Sequence, residues 1–422
     1  MTLDQADAAF LTAAFRSNPW STYRELARER PVYFSSSLNQ WIVTGRDLVA
    51  DVLAGPDRFS NYGWELARIR RFSERDQGRL GALVRMCSTP VIVFSDPPEH
   101  NRLRNLVSRG FSPRIVDRSR EWMADLVADL VASFSPGTAA DLVRDLSNPL
   151  PVQVIAHLFG APVEDAELYK QVSTARVQFQ GSPVPDFDIA LKLNDLLAEF
   201  RSYLEALVAR LAAHPDGGLL SSLIRRTGDT DGLTPDELFH TCVVFLSAGH
   251  ETTSALINGT LLALLTGPGQ LEALRADRSR IAAVVNEGLR WVTPVQRVLR
   301  IATRDCDLGG QQIPAGAQVV AVLASANYDP DAFSDPDTFR PERERRANFA
   351  FGQGIHTCIG AALGRAEASI AIDALLDIGT DITLTPGWAP RWVDSISLRS
   401  LAELPVFFGP AAAGAAADFR ES

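Results

Sequence analysis

The residues with the clearest chemical potential lie in a glycine-rich segment near the C-terminal end, from Phe351 to Gly360, which reads FGQGIHTCIG. It surrounds Cys358 and leads into a helix-like run, 361–368. The N–H groups and partial positive charge of a helix N-terminus stabilise a thiolate, and glycines let a backbone approach a large flat group. Without a CxxC neighbour, this cysteine lacks the partners for a zinc or iron–sulfur site, but it can be the axial ligand of a haem iron. The alternative is a buried structural cysteine.

The segment resembles the haem-binding motif of the cytochrome P450 family, Phe-x-x-Gly-x-His/Arg-x-Cys-x-Gly, and every fixed position is filled. The resemblance implies haem b as cofactor, with Cys358 as the iron ligand and Phe351, His356 and Gly360 beside the haem. It also implies an oxidoreductase with the P450 fold over nearly the whole chain. Three further motifs follow the family's order and spacing.

The first of these is Ala248-Gly249-His250-Glu251-Thr252-Thr253, inside a helical segment that is apolar on most sides and is therefore expected to be buried. Glycine costs about 1 kcal/mol in a helix relative to alanine, and threonine side chains compete for backbone carbonyls. We therefore expect the helix to open locally at this point.

This stretch resembles the family's oxygen-binding groove, Ala/Gly-Gly-x-Asp/Glu-Thr-Thr/Ser. The resemblance implies two catalytic residues: Thr252 would hydrogen-bond dioxygen and hold a protonating water, and Glu251 would relay protons from solvent. Ala248 and Gly249 would leave room for dioxygen and substrate. A surface acid is the alternative for Glu251, and His250 is predicted to be a packing or surface residue.

The second motif, Glu287-Gly288-Leu289-Arg290, places an acid and a base on one helical face. On a surface helix such a pair is worth little. Here it resembles the family's Glu-x-x-Arg element, and Arg343 is predicted to complete a structural triad beside the cysteine segment.

The third set concerns the two haem propionates, whose burial demands positive partners. His100 and Arg104 are four residues apart and share one helical face. By resemblance these two residues, together with Arg300 and His356, are predicted to bind the propionates. For each residue taken singly, a surface position is the alternative.

Substrate-facing positions are also implied by resemblance, in the segment 62–91 and at Trp64, Leu246, Ala248, Val295, Gln296, Val298 and Ile396. Arg297 is predicted either to face the substrate or to face solvent. The segment before Asp96 has more arginines (Arg68, Arg70, Arg71 and Arg85) than acids. This bias suggests a substrate with an acidic group, and a solvated loop is the alternative.

The elements that must position these residues are mostly helices. We predict a hairpin over 31–44, a helix opened by Asp96 as a cap, helices over 151–158, 188–213 and 235–265, and another ending at Arg290. Strands are predicted within 316–323 and 382–408. The fold class is therefore mainly α with a small β portion, with haem between the long distal helix and the cysteine segment. Residues 1–410 are predicted to form one P450 domain, and 411–422 an Ala-rich disordered tail.

The composition indicates which partners and which cellular location to expect. The formal net charge of −10 argues against general nucleic-acid binding. Four scattered cysteines fit a reducing cytoplasm, and no stretch approaches the roughly 20 apolar residues of a membrane span. The N-terminus lacks the features of a signal peptide. We expect a cytoplasmic protein without membrane or nucleic-acid partners.

The predicted function is that of a monooxygenase, which activates O2 with external electrons and inserts one oxygen atom into a small organic substrate, in secondary or xenobiotic metabolism. By resemblance to soluble bacterial members, a ferredoxin with its reductase supplies the electrons. The expected docking patch comprises Arg102, Arg109, Arg114 and Arg365. A peroxide-driven peroxygenase is disfavoured by the Glu251-Thr252 pair. A haem-based binding protein or sensor is disfavoured because no output domain is recognisable.

Overall fold

A computed structural model describes residues 7–227, 232–344, 346–378 and 381–409. Helices dominate these residues. The α-helices up to residue 131 are α1 (Ala13–Ser17), α2 (Trp20–Glu29), α3 (Arg46–Ala54), α4 (Trp64–Ile69), α5 (Glu74–Gln77), α6 (Gly81–Ser88), α7 (Glu99–Val107) and α8 (Pro113–Val131). Those that follow are α9 (Pro149–Leu158), α10 (Ala166–Gly181), α11 (Phe187–Ala213), α12 (Leu219–Ile224), α13 (Pro235–Thr266), α14 (Gln270–Ala276), α15 (Ile281–Val292), α16 (Leu323–Asn327) and α17 (Ala361–Asp377).

The strands form three small sheets. They are β1 (Val32–Ser35), β2 (Gln40–Val43), β3 (Phe59–Ser60), β4 (Thr138–Asp141), β5 (Val298–Ala302), β6 (Cys306–Leu308), β7 (Gln311–Ile313), β8 (Gln318–Ala321), β9 (Ile382–Leu384) and β10 (Pro405–Phe408). The largest sheet has the order β1-β2-β8-β5-β3, and only its β2–β8 pair is parallel. A second sheet has the order β4-β10-β9, and β6 and β7 form a hairpin. The predicted fold class, mainly α with a small β portion, is confirmed.

Helix α13 is the longest element and crosses the core over about 48 Å. A capping box starts it: Thr234 Oγ1 accepts from the Glu237 N–H, and Glu237 Oε2 accepts from the Thr234 N–H at 2.7 Å. Most of its residues are buried, and it packs against α9, α10, α15 and α17. The helix runs without a break through residues 248–253, so the expected local opening is not seen. Thr252 Oγ1 instead donates to the Ala248 carbonyl within the intact helix, at 2.5 Å.

The structure also differs from the predicted start of α7 and from the predicted extent of the C-terminal strands. Asp96 does not cap α7; its carboxylate accepts hydrogen bonds from the Ser60 hydroxyl and from the Asn61 N–H, the latter at 3.0 Å. The predicted strand region 382–408 contains strands only at its ends, β9 and β10. The hairpin over 31–44 is present, with Val32 paired to Val43. The predicted tail, 411–422, lies outside the described residues. Within the described ranges, no helix combines the length and apolarity needed to cross a membrane.

Candidate active site

The cysteine segment is a tight loop that ends at the start of α17. The Cys358 N–H donates to the Phe351 carbonyl at 2.9 Å, which closes the loop. Gly354 has a φ of +74°, and a Cβ on it would lie 2.8 Å from the Leu53 carbonyl oxygen of α3. This close approach requires glycine. No side chain caps α17 at Gly360, so the first N–H groups of the helix remain available near the cysteine.

Cys358 keeps contact with solvent although protein surrounds it. Burial raises the pKa of its thiol, while the Gly360 N–H and the positive charges of Arg365 and Arg104 act to lower it. The Arg365 guanidinium lies 4.5 Å from the ring centroid of Phe351, the residue at the other end of the loop. The surroundings of the sulfur are therefore electropositive, as a thiolate requires.

The four residues predicted to bind propionates form one basic cluster. The rings of His100 and His356 lie 4.5 Å apart, and His100 Nε2 is buried without a hydrogen-bond partner. Arg300 is 5% exposed, and the one side-chain hydrogen bond that it makes among the described residues goes to the neighbouring Leu299 carbonyl at 2.8 Å. Burial lowers the pKa of Arg300 to about 10, opposed by Asp96. Burial, followed by the charges of Arg300, His100 and Arg104, lowers the pKa of His356 to about 3.

Arg104 differs from the other three members of the cluster. Its Nη1 donates to the Ile355 carbonyl at 2.9 Å and its Nη2 to the Thr357 carbonyl at 3.0 Å. Arg104 thus ties α7 to the cysteine loop, a role that the sequence did not indicate. The cluster as a whole joins buried positive charge with unused donors, the property expected of a site for an anion.

Helix α13 has an accessible window in the predicted motif. Ala248 is exposed and Gly249, Glu251 and Thr252 are half-buried, whereas residues 253–264 are buried throughout. A Cβ on Gly249 would lie 2.8 Å from Ile155 Cδ1 of α9, so helix packing is itself a reason for glycine there. A Cβ on Gly364 of α17 would lie 3.5 Å from Thr253 Oγ1. The window therefore lies close to the first turns of α17, which follow the cysteine loop.

Helix α10 holds the polar side chains next to this window. Glu251 Oε1 accepts a hydrogen bond from Thr174 Oγ1 at 2.7 Å, and its side chain is 13% exposed. His250 is buried, with Nδ1 3.0 Å from Ser173 Oγ, in agreement with a packing role. No motif pointed to Thr174, because it lies 77 residues before Glu251. Among the described residues, no cluster of His, Cys, Asp and Glu could hold a metal ion.

The predicted triad is an ion-pair network in which every Arg290 donor has an acceptor. Arg290 Nε and Nη2 donate to the two Glu287 oxygens at 2.9 and 2.7 Å. The remaining Arg290 donors reach three carbonyl oxygens, those of Asn327, Pro336 and Thr338. Arg343 Nε lies 3.4 Å from Glu287 Oε1. Both members of the Glu287–Arg290 pair are buried.

The predicted substrate positions have mixed surroundings. Trp64, Leu246 and Ile396 are buried, and Val295 and Val298 are half-buried. Gln296 donates through Nε2 to the Val292 and Thr293 carbonyls, so its amide caps the end of α15. Arg297 is only 7% exposed, so the solvent-facing alternative is wrong. The burial of Arg297 could not be predicted from the sequence, because the residues around it show no clear alternation of apolar and polar side chains.

Comparisons with known proteins agree with this architecture. The family model described as "Cytochrome P450" matches residues 70–377. The chain is 36% identical over 420 residues to the cytochrome P450 monooxygenase PikC of Streptomyces venezuelae, covering 95% of this chain and 93% of that protein. It is 33% identical over 407 residues to the vitamin D(3) 25-hydroxylase of Pseudonocardia autotrophica, covering 95% and 96%.

Among solved structures, that of P450BioI in complex with an acyl carrier protein ligated to hexadec-9Z-enoic acid superimposes with a TM-score of 0.85. It shares 32% sequence identity, with 94% of this chain and 100% of that chain covered. The chain belongs to the cytochrome P450 family. It is a monooxygenase, an oxidoreductase that takes dioxygen and a substrate, and its family implies a haem-thiolate cofactor.

Proposed function

We propose that this cytochrome P450 monooxygenase receives two electrons from a separate redox protein and inserts one oxygen atom of O2 into a small organic substrate, in secondary or xenobiotic metabolism. The balanced reaction converts a C–H bond, O2, two electrons and two protons into a C–OH group and water. The observation that carries the proposal is a basic cluster with unused donors beside an accessible cysteine at a helix N-terminus.

The residues present fit haem. We assign Cys358 as the iron ligand, because it lies at the N-terminus of α17; burial raises the pKa of its thiol, and the Gly360 N–H, Arg365 and Arg104 oppose that rise. His100, Arg300 and His356 would hold the propionates, which would give the unpartnered His100 Nε2 and the Arg300 donors an anion. Arg104 would act partly through the loop carbonyls that it already binds. Thiolate-ligated haem supplies the reductive activation of dioxygen.

Two residues of α13 are assigned to proton delivery. The Thr252 hydroxyl donates to the Ala248 carbonyl, so its oxygen remains free to accept a hydrogen bond from a water in the accessible window. Glu251 is bound to Thr174, and releasing that bond would let the carboxylate turn between solvent and the window. Ala248, the exposed member of the motif, leaves the space in which a substrate would lie.

The proposed electron donor is an acidic ferredoxin, reduced by its reductase. Arg114 and Arg365 are exposed, and Arg365 lies near Cys358, so both are suited to a docking patch. Arg102 is less available, because its guanidinium pairs with Glu99 and Glu237. The side chain of Arg109 lies outside what the structure describes. Residues 1–410 are proposed to form one cytoplasmic domain.

Spectroscopy and coupled turnover test this function together. The reduced CO complex of the haem-loaded protein should show the strongly red-shifted Soret band of a thiolate haem, and Cys358→Ser should lose it. With a ferredoxin system, NADH consumption should yield oxygenated product from members of a compound library that shift the Soret band. Cys242→Ser, at a buried cysteine of α13 outside the loop, is the matched control.

Two results would contradict the proposal. Product formed with hydrogen peroxide but not with the ferredoxin system would indicate a peroxygenase. Ligand-induced spectral shifts without product under either condition would indicate a haem-based binding protein. A charge reversal at Arg114 should slow electron transfer from ferredoxin, and unchanged kinetics would argue against this docking surface.

A further inference from the structure

We propose that the substrate carries a carboxylate and that Arg68 and Arg297 bind it. This inference rests on the proposed monooxygenase function and adds the chemical class of its substrate. The two guanidinium groups are largely enclosed by protein, and neither has an acidic partner within ion-pair distance among the described residues. A carboxylate on the substrate would supply the missing negative charge.

Arg297 has the most unusual surroundings. Its side chain is buried, yet its one hydrogen bond is a long contact from Nε to Ser397 Oγ at 3.5 Å. Its electrostatic neighbours are the phenols Tyr23 and Tyr33, which are uncharged at neutral pH. Burial lowers the pKa of Arg297 to about 10, so the side chain still carries its charge at neutral pH. An enclosed guanidinium with four of its five donors unused is costly without an anion.

Arg68 faces the same region from α4. Its Nη2 donates to the Ser182 and Val184 carbonyls at 2.7 and 3.1 Å, in the connection between α10 and α11. Its Nε is buried without a partner. The Ser182 carbonyl that Arg68 binds follows Gly181, whose carbonyl accepts from the Ile396 N–H, and Ile396 precedes Ser397, the partner of Arg297, so the two guanidinium groups lie near one another. In agreement, burial and then repulsion by the charge of Arg297 lower the pKa of Arg68 to about 10, opposed by Glu65. An anion between them would turn this repulsion into attraction.

Two other buried arginines of the described chain, Arg176 and Arg290, are paired with acids. Arg176 pairs with Glu65 at 3.3 Å, and Arg290 uses all its donors. Arg399 donates to the Arg16 and Ser17 carbonyls and lies 3.6 Å from the ring centroid of Trp392. Arg68 has partners of the same kinds as Arg399, since its Nη2 binds two carbonyls and its guanidinium lies 5.5 Å from the ring centroid of Phe179. Arg297, like Arg300 of the basic cluster, is therefore the buried arginine whose donors are largely unmatched.

The pair is also distinct from the proposed propionate cluster. Arg297 precedes β5 and lies beside Ser397, whereas Arg300 within β5 lies near Asp96. A haem propionate would therefore leave Arg68 and Arg297 without an anion.

The position suits the substrate. Arg68 lies four residues after Trp64, and Arg297 lies between Val295 and Val298, all predicted substrate positions. Val295 bridges to Leu398, and the Ile396 N–H donates to the Gly181 carbonyl at 3.0 Å, so these segments meet the end of α10. Arg68 Nη2 already binds two carbonyls, so Nε and Nη1 of Arg68 and the two Nη groups of Arg297 remain to donate to the oxygens of a carboxylate.

Matched acids and esters test the inference on the haem-loaded protein. The probes are straight-chain acids from octanoic to hexadecanoic, several arylalkanoic acids, and the methyl ester of each. Affinities are measured by the Soret shift and, independently of haem, by calorimetry. We expect at least one acid to bind roughly 10-fold or more tightly than its ester. This is the difference in affinity expected when the ester cannot form a charge-assisted hydrogen bond. If no acid exceeds its ester, the inference is wrong.

Substitutions test whether Arg68 and Arg297 cause the preference for acids over esters. Arg297→Gln and Arg68→Gln should each reduce the acid-over-ester ratio by about 10-fold. Arg70→Gln, an exposed arginine at the end of the same helix, should keep the ratio of the unmodified protein. The assignment would be overturned by an unchanged acid-over-ester ratio in both the Arg68 and Arg297 variants. An equal loss of that ratio in Arg70→Gln would overturn it as well. If a Gln variant does not fold, Arg297→Lys serves instead and should keep part of the preference.

The outcomes separate this inference from the proposed function. Preferential acid binding by calorimetry without oxygenated product from the ferredoxin system would retain the carboxylate site and reject the proposed function. Turnover of neutral compounds without any acid preference would retain the monooxygenase and reject the carboxylate site. The red-shifted band of the reduced CO complex, recorded for every variant, verifies that the haem environment is intact.

Discussion

The triad around Arg290 and the basic cluster around Arg300 bury arginines in opposite ways. Arg290 and Arg300 are 1% and 5% exposed, respectively. Arg290 meets Glu287 through two hydrogen bonds and three carbonyls through the rest. Among the described residues the Arg300 side chain has one hydrogen bond, to an adjacent carbonyl, and no ion pair, since the charge of Asp96 acts on it only from beyond ion-pair distance. Burial alone therefore does not distinguish a structural charge from a ligand-binding one.

The difference lies in whether the chain supplies the counter-charge. A buried charge costs several kcal/mol unless it is paired and hydrogen-bonded. In the triad the pairing is internal, so the arginine stabilises the fold by itself. In the basic cluster the pairing must come from outside, so the fold bears a cost that a bound anion removes. Arg68 and Arg297 follow the second pattern.

Removing the internally paired arginine should have the largest effect. Arg290→Ala leaves Glu287 as a buried charge with a much weaker partner, and we expect the free energy of unfolding to fall by about 3–5 kcal/mol. Arg24→Ala, in the exposed pair with Asp337, should cost at most about 1 kcal/mol. Urea unfolding of both variants measures the difference. Equal losses would show that the triad is no more important than a surface ion pair.

A buried histidine extends the comparison to pH. Burial, followed by the charge of Arg176, lowers the pKa of His240 to about 3, and its Nδ1–H donates to the Thr89 carbonyl. Below about pH 6.5 the imidazole binds a proton in the unfolded state but not in the folded state. The free energy of unfolding therefore falls as the pH drops towards 3. By pH 5 the loss from this group is about 2 kcal/mol. His240→Gln should reduce the difference in urea midpoint between pH 7 and pH 5, and an unchanged difference would contradict this.

A variant of the basic cluster should respond differently from one of the triad. Arg300→Gln removes a buried charge that has no ion-pair partner among the described residues, so we expect the stability of the haem-free protein to stay constant or to rise. Haem affinity should fall by roughly 10-fold, because a propionate partner is lost. Haem transfer to an acceptor protein and urea unfolding measure the two effects. A destabilisation of the haem-free protein as large as that of Arg290→Ala would refute the distinction between the two regions.

The smallest effect is expected at the contact between α10 and α13. Thr174→Val removes the hydroxyl that binds Glu251 while keeping the shape of the side chain, and the half-buried carboxylate can turn to water. The free energy of unfolding should fall by about 1 kcal/mol. Ser173→Ala, which removes the neighbouring bond to His250, is the control. A change in the pH dependence of turnover in Thr174→Val alone would identify Thr174 as a positioning residue for Glu251.

Local patterns predicted the elements that carry the motifs. The hairpin over 31–44, the long distal helix and the helix through Arg290 are present because alternation, apolar periodicity and caps act within a few residues. The expected opening of α13 is absent, because packing on most sides holds the helix together, and Thr252 bonds to the Ala248 carbonyl without interrupting it. Asp96 binds Ser60 and Asn61 instead of capping α7, because partners distant in sequence compete with local ones.

By itself, the sequence determined the family, the fold class and the residues to consider, since the spacing around Cys358, Glu251 and Glu287 is a local property of the chain. Only the tertiary structure decided which charges are paired. It bound Arg104 to the cysteine loop, joined Thr174 to Glu251, and buried Arg297 near Arg68 without an acid. The physical reason is that burial and counter-charge depend on residues brought together from distant parts of the chain, and no spacing along the sequence records them.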